Sequence, residues 1–143
     1  MKVPLDIILA DKDLMPSAAY EEAAGLDLRI DRDLVLQPGQ VEKVSTGVAV
    51  DIPAGYVGLV FPRSSCSGWA LENTVGVIDR DYTGVIFAKL KNTSNEAVQF
   101  WRGDRILQLV LVPCLAVGLV NVVTDFNRNT ARGAKGDGSS GVK

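Results

Sequence analysis

The segment Gly76-Val77-Ile78-Asp79-Arg80-Asp81-Tyr82-Thr83-Gly84 sets two carboxylates and a phenol between apolar residues. An acidic turn at a hairpin tip accounts for the same residues structurally. The chain, however, contains no histidine. That removes the commonest general base, every Ser–His or Cys–His nucleophilic pair and most zinc sites. If the chain is an enzyme, proton transfer falls to a carboxylate, a metal-bound water, a lysine or a tyrosine. Asp79, beside apolar Val77 and Ile78, is the natural water-activating group.

Other clusters offer anion chemistry. Pro62-Arg63-Ser64-Ser65-Cys66-Ser67-Gly68 follows a run of strand character. A guanidinium fork with neighbouring hydroxyls suits a phosphate or carboxylate, and an N-cap serine explains the same residues without a ligand. Ala24-Gly25-Leu26-Asp27-Leu28 puts a carboxylate at a strand start, where it reaches a hydrated magnesium ion or merely ends a turn. Gln108 is the one polar residue in an apolar run and needs a partner in backbone, water or ligand. Near the C-terminus, Arg132, Lys135, Ser139 and Ser140 are interleaved with Gly133, Gly136, Gly138 and Gly141. Glycine backbone with hydroxyls and cations is the chemistry of a phosphate cradle, and a solvated tail is its plain alternative.

The elements that must position these groups read as short strands. Runs rich in Val, Ile and Leu cover Val3–Leu9, Leu26–Ile30, Leu34–Leu36, Gln40–Val50, Tyr56–Phe61, Thr74–Ile78, Val85–Asn92, Ala97–Phe100, Arg105–Val112 and Val117–Val123. Pro38-Gly39, Pro53-Ala54-Gly55, Asn92–Asn95 and Arg102-Gly103-Asp104 punctuate them. This spacing predicts an all-β sandwich, jelly roll or closed barrel, with one short helix over Ser65–Leu71. The run Ile106–Cys114 is apolar on both faces apart from Gln108 and calls for cover on both, from its own sandwich or from a second subunit. From Asn127 onward apolar side chains almost vanish. The expected organisation is a core over residues 1–126 and a flexible glycine-rich arm over 127–143.

Bulk composition narrows the partners. With 143 residues, 47% hydrophobic and 22% charged, the chain suits one globular domain. Its formal net charge of -2 supplies no field for a nucleic-acid duplex, so a polyanion must be held by local donors. Cys66 and Cys114 fit no metal spacing and read as reduced thiols. Neither a signal-peptide core nor a bilayer-length apolar run is found, and a cytoplasmic setting is expected, or a host-cell cytoplasm for a viral protein.

In their joint order, Ala24–Leu28, Pro62–Ser65, Gly76–Ile86, Gly103–Leu109 and the glycine-rich tail resemble the five motifs of the trimeric dUTP pyrophosphatase family. The resemblance spans nearly the whole chain, and the third motif is its most specific part. It implies a jelly-roll-like distorted β-barrel that assembles as a homotrimer with shared active sites. It also implies Mg2+-assisted hydrolysis of dUTP to dUMP and pyrophosphate, which keeps uracil out of DNA and supplies dUMP for thymidylate synthesis. By position, Asp79 would activate the attacking water, and Tyr82 would pack on the deoxyribose. Backbone of the Asn73–Ile78 hairpin, including Gly76, Val77 and Ile78, would read uracil with the Asn73 side chain. Asp27 would lie in the magnesium's outer shell, and Arg63, Ser64, Ser65 and Gln108 would contact phosphates. Arg132, Lys135, Gly136, Ser139 and Ser140 would close over them. The tail departs from the family at Asp137, where an aromatic residue usually stacks on the base. A dCTP deaminase shares the fold but needs a catalytic glutamate and a cytosine site. A nucleotide-sensing module without turnover is the alternative outside enzymology.

Overall fold

The computed structural model describes residues 2–116, 118, 120–126 and 130–131. Ten strands run in order: β1 (Asp6–Leu9), β2 (Gly25–Arg29), β3 (Leu34–Leu36), β4 (Val41–Asp51), β5 (Tyr56–Pro62), β6 (Trp69–Leu71), β7 (Gly76–Ile78), β8 (Val85–Asn92), β9 (Val98–Phe100) and β10 (Arg105–Pro113). They form sheets of order β1-β4-β8-β6 and β2-β10-β5-β7, with a small β3-β9 pair beside them. The all-β, jelly-roll-like expectation is met.

Side-chain alternation explains how the two larger sheets face each other. In β8, Ile86, Ala88, Leu90 and Asn92 point inward, while Phe87, Lys89 and Lys91 point to solvent, the period of two that a half-covered strand requires. The inward set joins Leu28, Leu36, Val44, Ile52, Leu107 and Leu109 in one core. Asn92 is buried there at little cost because its amide is fully used. Nδ2 donates to the carbonyls of Leu36 at 2.8 Å and Glu96 at 2.7 Å, and Oδ1 accepts from Ser94 N and Oγ at 2.8 Å each.

The β4–β8 register slips between Ser45 and Ala49. Gly47 sits in that bulge at φ 65, and a Cβ on it would lie 2.4 Å from Leu14 Cδ1. Only glycine suits both the backbone and the space. Leu14, on the 3-10 helix Lys12–Leu14, plugs the core at this point.

Two expectations fail. Ser65–Leu71 is not a helix: Gly68 lies at φ 77, and Trp69–Leu71 is a strand paired with Leu90–Asn92 of β8. A left-handed glycine stops a helix at that point, and the Trp69 and Leu71 side chains alternate into the core. The described residues of Val117–Val123 form no strand. They are exposed, with Val120 at 82% and Val122 at 97%, and no described strand pairs with them. No helix among the described residues is long and apolar enough to cross a membrane.

Candidate active site

The first cluster grows out of the central pair of the second sheet. Asp27 of β2 is level with Gln108 of β10, which on its other side is level with Phe61 of β5. The strands approach closely here because residue 25 is glycine. A Cβ on Gly25 would lie 2.6 Å from Leu109 O and 2.8 Å from Gln108 Cγ. Arg63 leaves the end of β5 held by its own backbone, its N–H donating to Ile106 O at 3.0 Å. Its Nε lies 3.0 Å from Asp27 Oδ1, and its Nη1 donates to Arg105 O at 3.0 Å.

The Asp27 carboxylate is 3% exposed, and it faces a second cation as well. Arg105 Nη1 stands 3.4 Å from Oδ2. That contact is an ion pair and not a hydrogen bond, and among the described residues Oδ2 is buried without a hydrogen-bond partner. Two guanidiniums on one carboxylate leave this corner positive in a chain that is negative overall. Both guanidiniums remain partly exposed, at 25% for Arg63 and 42% for Arg105. Such a pair of partly exposed guanidiniums could hold an anion without help from net charge.

Ser64 and Ser65 are exposed in the turn closed by Cys66 N–H on Arg63 O at 3.0 Å. The Cys66 thiol donates to Ile106 O at 3.4 Å, and burial raises it above the ordinary thiol range against the opposing pull of Arg63 and Ser65. The Gln108 amide has no hydrogen-bond partner among the described residues. The structure therefore brings Asp27, Arg63, Ser64, Ser65 and Gln108 to one corner. It adds Arg105, which sequence reasoning missed. The only signal for Arg105 was its place between a turn aspartate and an apolar strand.

A second cluster lies on β7 and its flanking turns. Between β6 and β7, Val75 N–H donates to Asn73 O at 2.6 Å across Thr74, whose φ is 65. Thr74 is the one described non-glycine residue with positive φ. A β-branched side chain there is strained, and such strain gathers at ligand-contacting sites. Gly76, Val77 and Ile78 pair with Val60, Leu59 and Gly58 of β5. Ile78 turns into the core and Val77 out to solvent at 57%. After β7, Tyr82 N–H donates to Asp79 O at 3.1 Å and closes a turn that leaves the Asp79 side chain exposed. Among the described residues its carboxylate has no ion-pair partner. The Tyr82 hydroxyl donates to Val85 O at 2.6 Å, and a Cβ on Gly84 would meet that hydroxyl at 2.7 Å. Gly84 thus gives the phenol room to lie flat along the turn.

These two clusters do not meet within one chain. Ile78 is level with Gly58, five residues along β5 from Arg63, roughly 17 Å at the usual strand rise. Arg132, Lys135, Gly136, Ser139 and Ser140 lie outside the described residues. Among the described residues, no group of three or more acidic or cysteine side chains could hold a metal ion by itself.

A model of the dUTPase family matches residues 11–141. The chain belongs to the dUTPase family. A deoxyuridine 5'-triphosphate nucleotidohydrolase of Mycobacterium sp. (strain JLS) is 43% identical over 150 residues, covering 99% of this chain and 97% of that one. Among solved structures, Staphylococcus bacteriophage 80alpha dUTPase with dUpNHpp superposes with a TM-score of 0.88 at 31% identity, covering 99% of this chain and all of the other. A dUTPase variant from phage phi11 of S. aureus, described with a coordinated structural Mg(II) ion, has a TM-score of 0.75 at 29% identity, covering 84% of this chain and 97% of that one. The chain thus matches these relatives over nearly their whole length and shares the family's fold.

Proposed function

We propose that this dUTPase hydrolyses dUTP to dUMP and pyrophosphate in sites shared among three copies of the chain, with Asp79 as the base. The observation that carries this reading is the separation along β5. Within one chain Asp79 and Arg63 stand toward opposite ends of β5, and a second copy that sets its own Arg63 beside Asp79 would complete one site. Two further features favour association. Val110, Leu111 and Val112 of the doubly apolar β10 are only half-buried. An open groove of about 880 Å3 runs beside that strand, between Leu109, Leu111, Pro113 and Tyr56.

In this reading the Asn73–Ile78 hairpin receives uracil. Backbone of Gly76, Val77 and Ile78 matches its donor and acceptor edge, and cytosine reverses that edge. The Tyr82 ring, tethered through its hydroxyl, backs the deoxyribose and leaves no space for a 2′-hydroxyl. Arg63, Ser64, Ser65 and Gln108 of a neighbouring copy hold the phosphates. Arg132, Lys135, Gly136, Ser139 and Ser140 close over them from an arm. Asp79 takes a proton from water as its oxygen bonds to the α-phosphorus. The bond from that phosphorus to the bridging oxygen then breaks, and pyrophosphate leaves.

Magnesium fits as a companion of the nucleotide, since the described residues offer no ligand cage and the ion favours phosphate oxygens and water. It would neutralise charge on the triphosphate. Among the described residues Asp27 Oδ2 lacks a hydrogen-bond partner, and its carboxylate would accept from metal-bound water. The setting is the cytoplasm, with neither nucleic acid nor membrane as partner.

Mixing two inactive variants tests the shared site. Asp79→Asn chains, which lose the base, and Arg63→Ala chains, which lose phosphate binding and are inactive at low dUTP, should regain pyrophosphate release at low dUTP when unfolded and refolded together, because some mixed sites receive both native residues. Mixtures as inactive as their components would overturn the shared site. Ammonia release from dCTP, or binding of dUTP without turnover by the native chain, would overturn the activity.

A further inference from the structure

We propose that Ser17 is a positioning residue for this reaction: its hydroxyl and Asp27 Oδ2 hold one internal water between them, and that water fixes the carboxylate that aims Arg63. The catalytic part of this inference rests on the function proposed above.

Ser17 lies before β2, between Pro16 and Ala18, with nothing in the sequence to mark it. The fold pairs it with Asp27 alone. Asp27 N–H donates to Ser17 O at 2.8 Å, and Ser17 N–H donates to Asp27 O at 3.3 Å. A mutually hydrogen-bonded antiparallel pair holds its Cα atoms about 5.5 Å apart, with both side chains on one face. On that shared face, Ser17 Oγ and Asp27 Oδ2 are the two buried side-chain polar atoms without a hydrogen-bond partner among the described residues. Two orphaned oxygens side by side mark a place for a bridging group that both donates and accepts. Water does this when it finds two to four polar partners. Here Ser17 Oγ and Asp27 Oδ2 are two, and Arg105 Nη1, 3.4 Å from the same carboxylate oxygen, is a third within reach.

The consequence concerns orientation. Asp27 Oδ1 is fixed by Arg63 Nε at 3.0 Å. With Oδ2 facing only the longer Arg105 contact, the carboxylate is free to tilt, and Arg63 keeps its Nη1 bond to Arg105 O while its Nε loses a fixed acceptor. With Oδ2 held by the water, the fork of Arg63 keeps one direction. A carboxylate oxygen carries two lone pairs, so this internal water does not exclude a second donor from the metal's hydration shell. Because Arg63 serves phosphate binding and Asp79 serves the chemical step, loss of Ser17 Oγ should weaken substrate binding and spare turnover.

Three measurements on the full chain decide this. A high-resolution crystal structure without nucleotide or metal should show an ordered water within hydrogen-bond distance of both Ser17 Oγ and Asp27 Oδ2. A direct contact between the two oxygens, or a dry gap, overturns the proposal. Ser17→Ala should raise the KM for dUTP about tenfold with kcat within about twofold, and Ser17→Thr, which keeps the hydroxyl, should restore it. A fall in kcat at unchanged KM, or no rescue by threonine, overturns it. Calorimetry with dUpNHpp in the absence of magnesium should show the same tenfold weakening for Ser17→Ala, and equal affinity overturns it. If the native chain does not hydrolyse dUTP, the proposed function fails while the crystallographic water still decides the role of Ser17.

Discussion

Arg63 Nε stands 3.0 Å from Asp27 Oδ1, while its Nη1 donates to the carbonyl of Arg105, the residue whose own guanidinium faces the other oxygen of that carboxylate. One buried acid thus holds two arginines, one just past β5 and one at the start of β10, at a fixed spacing.

Asp27→Asn should therefore do more than delete a charge. Two guanidiniums would face each other without the anion between them, and both are partly exposed, so solvent softens the penalty. The expected loss is about 1–3 kcal/mol of stability, measured by urea unfolding of the assembled protein. It should be accompanied by a higher KM for dUTP. A variant as stable as the native chain would show that the two arginines do not depend on Asp27.

The backbone at Thr74 supplies a second prediction. A threonine held at φ 65 costs about 1–3 kcal/mol, and glycine adopts the same conformation freely. Thr74→Gly should raise thermal stability by about 1 kcal/mol and loosen the hairpin proposed to receive the base. Stability is read from the melting temperature, and the loosened hairpin from a higher KM for dUTP. A lower melting temperature would mean that the threonine side chain makes a contact worth more than the strain.

Burial raises the Cys66 thiol above its ordinary value of 9.0. The folded state then holds this proton more tightly than the unfolded chain. The resulting stabilisation is complete below the ordinary thiol range and is lost as pH rises through the folded value. Iodoacetamide at mildly alkaline pH should label exposed Cys114 well before half-buried Cys66, as mass spectrometry of the two peptides can follow. Equal labelling rates would contradict the burial.

By the resemblance in motif order, Asp137 falls where the family usually has an aromatic residue. Stacking of an aromatic side chain on a base is worth about 1–3 kcal/mol, and a carboxylate near a triphosphate adds repulsion. Asp137→Phe should lower the KM for dUTP by about fivefold or more. An unchanged or higher KM would show that closure of the arm does not use stacking in this protein.

Much of this architecture is legible in the sequence, because strands declare themselves by alternation and are stopped by turns. The limits of β3 and β8 follow from Leu34–Leu36 and Val85–Asn92 as written. β6 is hidden because Trp69–Leu71 is too short to show a period, and its partner strand lies some twenty residues away. The Val117–Val123 run shows that apolar, β-branched residues state a propensity and not a partner. At the candidate site, the residue types and their order are visible, and so is the want of histidine that singles out a carboxylate. The pairing of Asp27 with Arg105 is not visible. It depends on a β10–β2 register that shifts between Arg105 and Leu107, and no local rule predicts such a slip. Ser17 is invisible for the same reason, since its meaning lies wholly in the strand across from it.

The two ends of β5 have a consequence for inheritance. If each reaction centre draws Asp79 from one copy and Arg63 from another, a single faulty chain in a mixed assembly damages centres that its sound neighbours also depend on. A defective allele expressed beside a normal one would then act dominantly, and the loss would exceed its share of the protein made. The same arrangement lets two different defects mask each other, so that a cross between strains carrying them yields activity that neither parent has.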